Sequence, residues 1–344
     1  MPRLTVPDPL RIMQTADLDD HIVALHWSAN GARLLAASVS GPLVVLDPGG
    51  AAALRVAGHA QGTCSAVWLT DDVLASGGQD GEVRWWDGHT GELVRANPGG
   101  SAWVEHLAVG VDGTLASAAG RTIRTWDPMG RQLREWTPRP STVAGLQWHP
   151  QGHDLAASHY GGVSLLRDDG NERLLPWKGS QLCVAWSPNG NWLAATTQDR
   201  AVHLWRLRDG VDCEMGGFPN TVTGLAWNHR GTALASAGGS DIQFWDCTPP
   251  GPMGRPAWST AEPWAHAEPI TALALNPRST CLASGDRDGA LILWRVHLSD
   301  GGTTPIARWQ APNGIAALAW SPDGKALAVA STHGRIVILS VASA

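Results

Sequence analysis

The chain has 344 residues, 43% of them hydrophobic and 16% charged, which gives apolar material for a large core and excludes a chain kept disordered by charge. Its net charge of -6, from 25 basic and 31 acidic residues with no run of Lys or Arg, excludes the basic stripe that phosphate-backbone binding needs, so no nucleic acid partner is expected. No run of 18 apolar residues exists, and the opening MPRLTVPDPLRIMQTADLDD lacks an apolar leader core, so neither a membrane partner nor export is expected and the location reads as cytoplasmic. The five cysteines are odd in number and include no C-x-x-C, which fits reduced thiols rather than a disulfide framework or a zinc knuckle. Abundant Ala, Gly and Pro beside only two lysines, Lys178 and Lys325, suggest the coding bias of a GC-rich bacterium.

The 40 glycines and 23 prolines imply many turns, and with few long polar runs they point to an all-β chain. Residues 1–10 read as an N-terminal extension and 11–344 as one folded unit. The stretch LRIMQTADL reads as a strand standing before the first repeat. Eight similar segments follow, each ending its first strand on an anchor: Trp27, Trp68, Val109, Trp148, Trp186, Trp227, Leu275 and Trp320. Neighbouring anchors are 38 to 48 residues apart. In each copy a strand with one small face, as in GLAW or ALAW, precedes a turn. In six copies that turn carries Gly four residues past the anchor, at Gly31, Gly113, Gly152, Gly190, Gly231 and Gly324. A second strand (LAAS, LASG), a tight turn, a third strand and a weaker fourth complete the unit. Four short strands per period of this length is the pattern of a propeller blade, and small residues on the first strand let neighbouring blades approach near the axis.

The stretches LASGGQDGEVRWWD (residues 74–87) and LASGDRDGALILWR (282–295) resemble WD-repeat propellers, whose repeats end in Trp-Asp and carry Gly-His before the first strand. Gly58-His59 matches that pair, and His266 matches the His alone. The resemblance implies a hydrogen-bonded network inside a blade: His59, Ser76, Asp80 and Trp86 in the second repeat, and His266, Ser284, Asp288 and Trp294 in the seventh. The other six copies hold Ser40, Gly120, Tyr160, Asp199, Gly239 and His333 at the turn position and are expected to rely on packing alone. The chain ends at the third strand of the eighth copy, so LRIMQTADL is expected to complete the last blade, giving a closed eight-bladed ring; seven blades plus a stray repeat is the alternative. Two departures from the period, residues 247–265 and 297–309, read as enlargements of the blade exterior. The first is proline-rich; it reads as a stiff cap on an outer strand or as a partner-docking loop using Trp258 and Trp264.

Motifs of catalysis are absent: no H-E-x-x-H, G-x-S-x-G, Walker A loop or G-x-G-x-x-G. Glu105 is the only carboxylate in the channel row Val23, Glu105, Ala144, Leu182, Thr223, Thr271 and Ala316, and one carboxylate cannot share acid and base work. No enzyme activity and no cofactor are therefore expected. An alternative is a metal- or small-ligand-binding accessory propeller using His21, Glu105, His106 and His333, with Asp19 and Asp20 nearby, although no third ligand has diagnostic spacing. The preferred reading is a scaffold or adaptor for an unidentified protein or peptide. The resemblance places its partner on the face of the loops entering first strands and the turns after second strands. That face carries Gln79, Trp103, His159, Tyr160, Gln198, Arg287 and His333, with His21 beside them. Trp103 stands where other copies have Gly, Thr, Ser or Pro, and reads either as an interface anchor or as a plug over the channel mouth.

Overall fold

The computed structural model describes residues 10–18, 20–48, 53–253, 256–260, 266–298 and 301–342. Within them lie thirty β-strands and no α-helix, so no helix is long and apolar enough to cross a membrane. Every strand pairs antiparallel, as hairpin connections dictate. The second repeat shows the plan. Thr63–Trp68 lies innermost, followed outward by Val73–Gly78, Glu82–Asp87 and Leu93–Pro98. Val73–Gly78 is almost wholly buried, Glu82–Asp87 alternates buried and half-buried residues, and Leu93–Pro98 is mostly exposed. Apolar residues are therefore packed toward both neighbouring sheets, and polar ones collect on the outer strand.

Eight apolar clusters hold the sheets together, each shared by two consecutive repeats. One of them joins Ile22, Leu34 and Val44 of the first repeat to Ala328, Ile336 and Ile338 of the eighth. Leu10–Asp17 lies along Arg335–Val341, giving the sheet order in which the N-terminal strand is outermost. This strand starts one residue before the expected 11–344 unit; residues 1–9 of the expected extension lie outside the described residues.

The hydrogen-bonded sheets number seven among the described residues, so in that sense there are seven blades and not the eight expected from eight repeats. Six have four strands; the seventh has six and holds both the fourth and the fifth repeats. No repeat is stray. The reason is local: Leu155–Leu166 and Glu172–Trp186 are each continuous where other repeats break into separate strands. Gly161 and Gly162 (φ 93° and 138°) and Gly179 (φ 79°) redirect these strands in conformations that L side chains rarely adopt. Tyr160 pairs with Ser180, and the next residue, Gln181, pairs with Thr197, so the ladder runs on from one repeat into the next.

The anchors play a part that the period alone does not show. Six indole N–H groups donate, over 3.0–3.2 Å, to the main-chain carbonyl just before the anchor of the preceding repeat. Trp27 bonds Ala319, Trp68 bonds His26, Trp148 bonds Ala108, Trp186 bonds Gln147, Trp227 bonds Ala185 and Trp320 bonds Ala274. These carbonyls already face the second strand of their own sheet, so each indole is a second donor that ties one repeat to the next. The insertion at 247–265 is not a cap on the outer strand where it is described: Trp258–Ser259 is itself the sixth repeat's outer strand, and Trp258 pairs with Phe244 and stacks flat on it with ring centroids 5.1 Å apart; Trp264 lies outside the described residues. Most of 297–309 is no loop: Gly302–Gln310 is the seventh repeat's outer strand.

Candidate interaction face

Below the face in question lie the buried networks that fix its turns. In the second repeat Trp86 Nε1 donates to Ser76 Oγ (2.8 Å), and Ser76 Oγ lies 2.8 Å from His59 Nε2. His59 Nδ1 is 2.9 Å from Asp80 Oδ1, and Arg84 reaches Asp80 Oδ2 at 3.0 Å. A carboxylate can only accept, so Nδ1 carries the proton and Ser76 donates to Nε2. Burial holds His59 below its ordinary pKa despite the Asp80 bond. For Asp80 burial acts upward, but the His59 bond, the Glu82 N–H and the Arg84 charge outweigh it and hold the carboxyl below its usual range. The pair is thus a neutral imidazole on a carboxylate.

The seventh repeat has the same His266, Ser284 and Trp294, with His266 Nε2–Ser284 and Trp294–Ser284 both at 2.7 Å. Its acid is not Asp288. Asp286 Oδ2 bonds His266 Nδ1 at 2.8 Å, and Asp288 is exposed, its N–H donating to Asp286 Oδ1. Asp286 occupies the place of Gly78, the last residue of the second strand, rather than that of Asp80 on the turn.

His159 takes that same place in the fourth repeat, and it is not a surface group. It is 1% exposed, with Nε2 on Ser164 Oγ and Nδ1 on the Tyr160 carbonyl, both at 2.8 Å. Arg139 beside it is 4% exposed and forms a two-pronged pair with Glu172 at 2.8 and 2.9 Å. Nor do all the degenerate repeats rely on packing alone. Trp126 donates to Ser117 at 2.9 Å in the third, and Trp245 to Ser236 at 2.7 Å in the sixth, each the inner half of the network without its His and Asp. The signal was visible: both repeats carry Ser in the second strand and Trp near the end of the third.

The remaining face residues divide by exposure. Trp103 is 53% exposed and Tyr160 62%, so Trp103 is not a buried plug. Gln198, Arg287, His333 and His21 are exposed as well, while Gln79 is half-buried, its N–H bonded to the Gly62 carbonyl. Trp103 and Tyr160 belong to consecutive repeats: Val143 N–H bonds the Gly120 carbonyl, and Tyr160 N–H bonds Ser141 Oγ at 2.8 Å. His21, Glu105, His106 and His333 do not assemble. Among the described residues no group of three or more His, Cys, Asp or Glu is placed to hold a metal ion; Asp19 lies outside them. His106 is half-buried, its pKa lowered by burial.

Known proteins repeat this pattern. Residues 53–87, 175–206, 260–295 and 303–339 match the family model for the WD domain, G-beta repeat. Telomerase protein component 1 of Mus musculus is 24% identical over 284 residues, covering 79% of this chain, and Protein FIZZY-RELATED 3 of Arabidopsis thaliana is 22% identical over 320 residues, covering 89%. The chain spans 10% of the mouse protein's length and 65% of the plant protein's. Among solved structures, the computationally designed Ika8 protein superposes with a TM-score of 0.79 at 21% identity, over 94% of this chain and 97% of that one. A chain of a mitotic checkpoint complex superposes with a TM-score of 0.66 at 19% identity, over 100% of this chain and 95% of that one. Four stretches of this chain thus match the WD-repeat model, and its antiparallel sheets have the β-propeller fold of the solved structures it superposes on.

Proposed function

We propose that the protein is a non-catalytic scaffold that binds a protein or peptide through the face of its second-strand turns. The observation that carries this reading is the pair Trp103 and Tyr160, each more than half exposed, in consecutive repeats on one face. Large aromatic groups anchor interfaces, and left exposed on water-facing turns they keep apolar area in contact with water that a partner would cover. Arg287, His333, His21 and Gln198 supply polar contacts around them. A relative within a mitotic checkpoint complex is in keeping with this role. The strand Leu10–Asp17 on the eighth repeat, with the apolar cluster between the first and eighth repeats, supports a ring closed by both ends of the chain, the rigid platform such a role requires.

The test is affinity capture from the native host with wild type and a Trp103→Ala, Tyr160→Ala, Arg287→Ala variant of matched thermal stability. Selective loss of one partner by the variant is expected. Equal recovery of every partner by both proteins overturns the assignment of this face, and turnover of a substrate by the purified chain overturns the scaffold.

A further inference from the structure

We propose that the cleft between the outer strands of the second and third repeats binds a partner peptide in which acidic and apolar residues alternate. The cleft, of about 450 Å³, has Arg95, Asn97 and Pro98 on one side and Arg124, Trp126 and Arg131 on the other. Bonds across the junction tie its walls together. Asn97 Nδ2 donates to the Gly130 carbonyl at 2.6 Å, and Arg124 Nη1 donates to the Pro98 carbonyl at 2.7 Å. Buried between the same two sheets, Trp85 meets Trp126 edge-on, with ring centroids 5.6 Å apart. The cleft is therefore formed before a partner arrives, and binding costs the protein little ordering.

In a chain of net charge -6, no acidic side chain among the described residues lines this cleft. Arg95 is exposed, and among the described residues its guanidinium has no ion pair or hydrogen bond. Arg131 reaches Asp127 through Nε, at 3.1 Å, with its side chain 77% exposed, and Arg124 reaches Glu135 through Nε at 2.8 Å. A guanidinium carries five N–H donors in a fork that matches the two oxygens of a carboxylate. Arg95 and the outer nitrogens of Arg131 therefore present that fork to a single cleft. Apolar area lies alongside: Leu93, Val94, Met129 and Leu133 stand within two residues of Arg95 or Arg131, each 50% exposed or more. Cations beside water-exposed apolar groups suit acids spaced by apolar side chains. The acid is carboxylate rather than phosphate, because Asp127 and Glu135 beside the cleft oppose the near-double charge of a phosphate more than a single one.

The cleft opens on the outer edge of the sheets, whereas Trp103 stands where the chain enters an inner strand, so the two surfaces are tested separately. A fluorescein-labelled peptide Gly-Glu-Leu-Glu-Val-Glu-Leu-Gly is titrated with the full chain and binding is read by anisotropy. Saturable binding is expected, at least tenfold weaker when Gln replaces each Glu, and weaker when Ser replaces each apolar residue. Arg95→Glu and Arg131→Glu are each expected to weaken it at least tenfold. Arg173→Glu, which makes the same change of charge at an exposed arginine of the fourth repeat, is expected to leave it unchanged. Absence of saturable binding, equal binding of the Gln or Ser peptide, or equal loss in Arg173→Glu overturns the proposal, as does binding unchanged in folded Arg95→Glu. Tighter binding of a peptide with phosphoserine in place of each Glu overturns the choice of carboxylate.

Discussion

The second and seventh repeats solve one problem in two ways. Each buries a histidine between its strands and satisfies both ring nitrogens, one with Ser and one with Asp. In the second the acid stands on the turn and is shared with Arg84. In the seventh it stands two positions earlier, at the strand's end, and is itself 1% exposed. The exchange is possible because the earlier position is glycine in the second repeat. A Cβ on Gly78 would lie 2.2 Å from His59 Nδ1, so no side chain fits there while the ring holds its present place. The lesson is that the network is specified by which atom reaches the imidazole, and sequence position follows from that.

Substitutions can break this comparison. Gly78→Asp, which writes the seventh repeat's device into the second, is expected to destabilise by about 1–3 kcal/mol through overpacking, read as a lower urea midpoint; an unchanged midpoint would mean that His59 moves freely. Asp286→Ala leaves a buried imidazole N–H unpaired and should cost about 1–3 kcal/mol, whereas Asp288→Ala should stay within about 0.5 kcal/mol. The reverse order would restore Asp288 as the network acid.

Acid should weaken both networks in the same direction. His59 and His266 are held below their ordinary pKa chiefly by burial, and His203, wholly buried between Trp177 and Trp205, is held at about 4. A base with a depressed folded pKa binds fewer protons folded than unfolded. Its stabilisation is therefore complete above pH 6.5 and declines as pH falls toward 4. Urea midpoints measured at pH 7.5, 6 and 4.5 should fall in that order, and His203→Phe should flatten the fall. A midpoint independent of pH over this window would contradict the buried neutral histidines. Trp126→Phe and Trp245→Phe remove the inner bond to Ser together with part of a buried ring and should each cost about 1–3 kcal/mol by thermal melting.

Much of this architecture was legible because it repeats. The period and the LAAS-type second strands mark all eight units, the turn glycine marks six of them, and His59 and His266 stand out by their place before an inner strand. What escaped did so for physical reasons. Matching on the Asp-Gly turn points to Asp288, but hydrogen bonding depends on distance to the ring, which Asp286 wins. His159 looks like a turn residue, but it lies inside the continuous strand Leu155–Leu166, at the place of Gly78 and Asp286. The indole bonds join repeats about forty residues apart, beyond what periodicity within one unit reveals. The fusion of the fourth and fifth repeats had only a faint signal, since LLPWKGSQLCVAW still places the polar run Lys178-Gly179-Ser180-Gln181 where a loop is expected, and a regular period invites the eye to cut it there.

That fusion bears on how the molecule comes apart. Elsewhere adjoining units share side-chain packing and a few capping bonds, which local openings can sever one junction at a time. From Gly145 to Met215 the backbone ladder itself is common property. Its amides should therefore exchange with solvent deuterium in a single concerted event spanning two repeats, and a circular permutant opened at the Asp209-Gly210 turn should fold where one opened beside Gly179 does not.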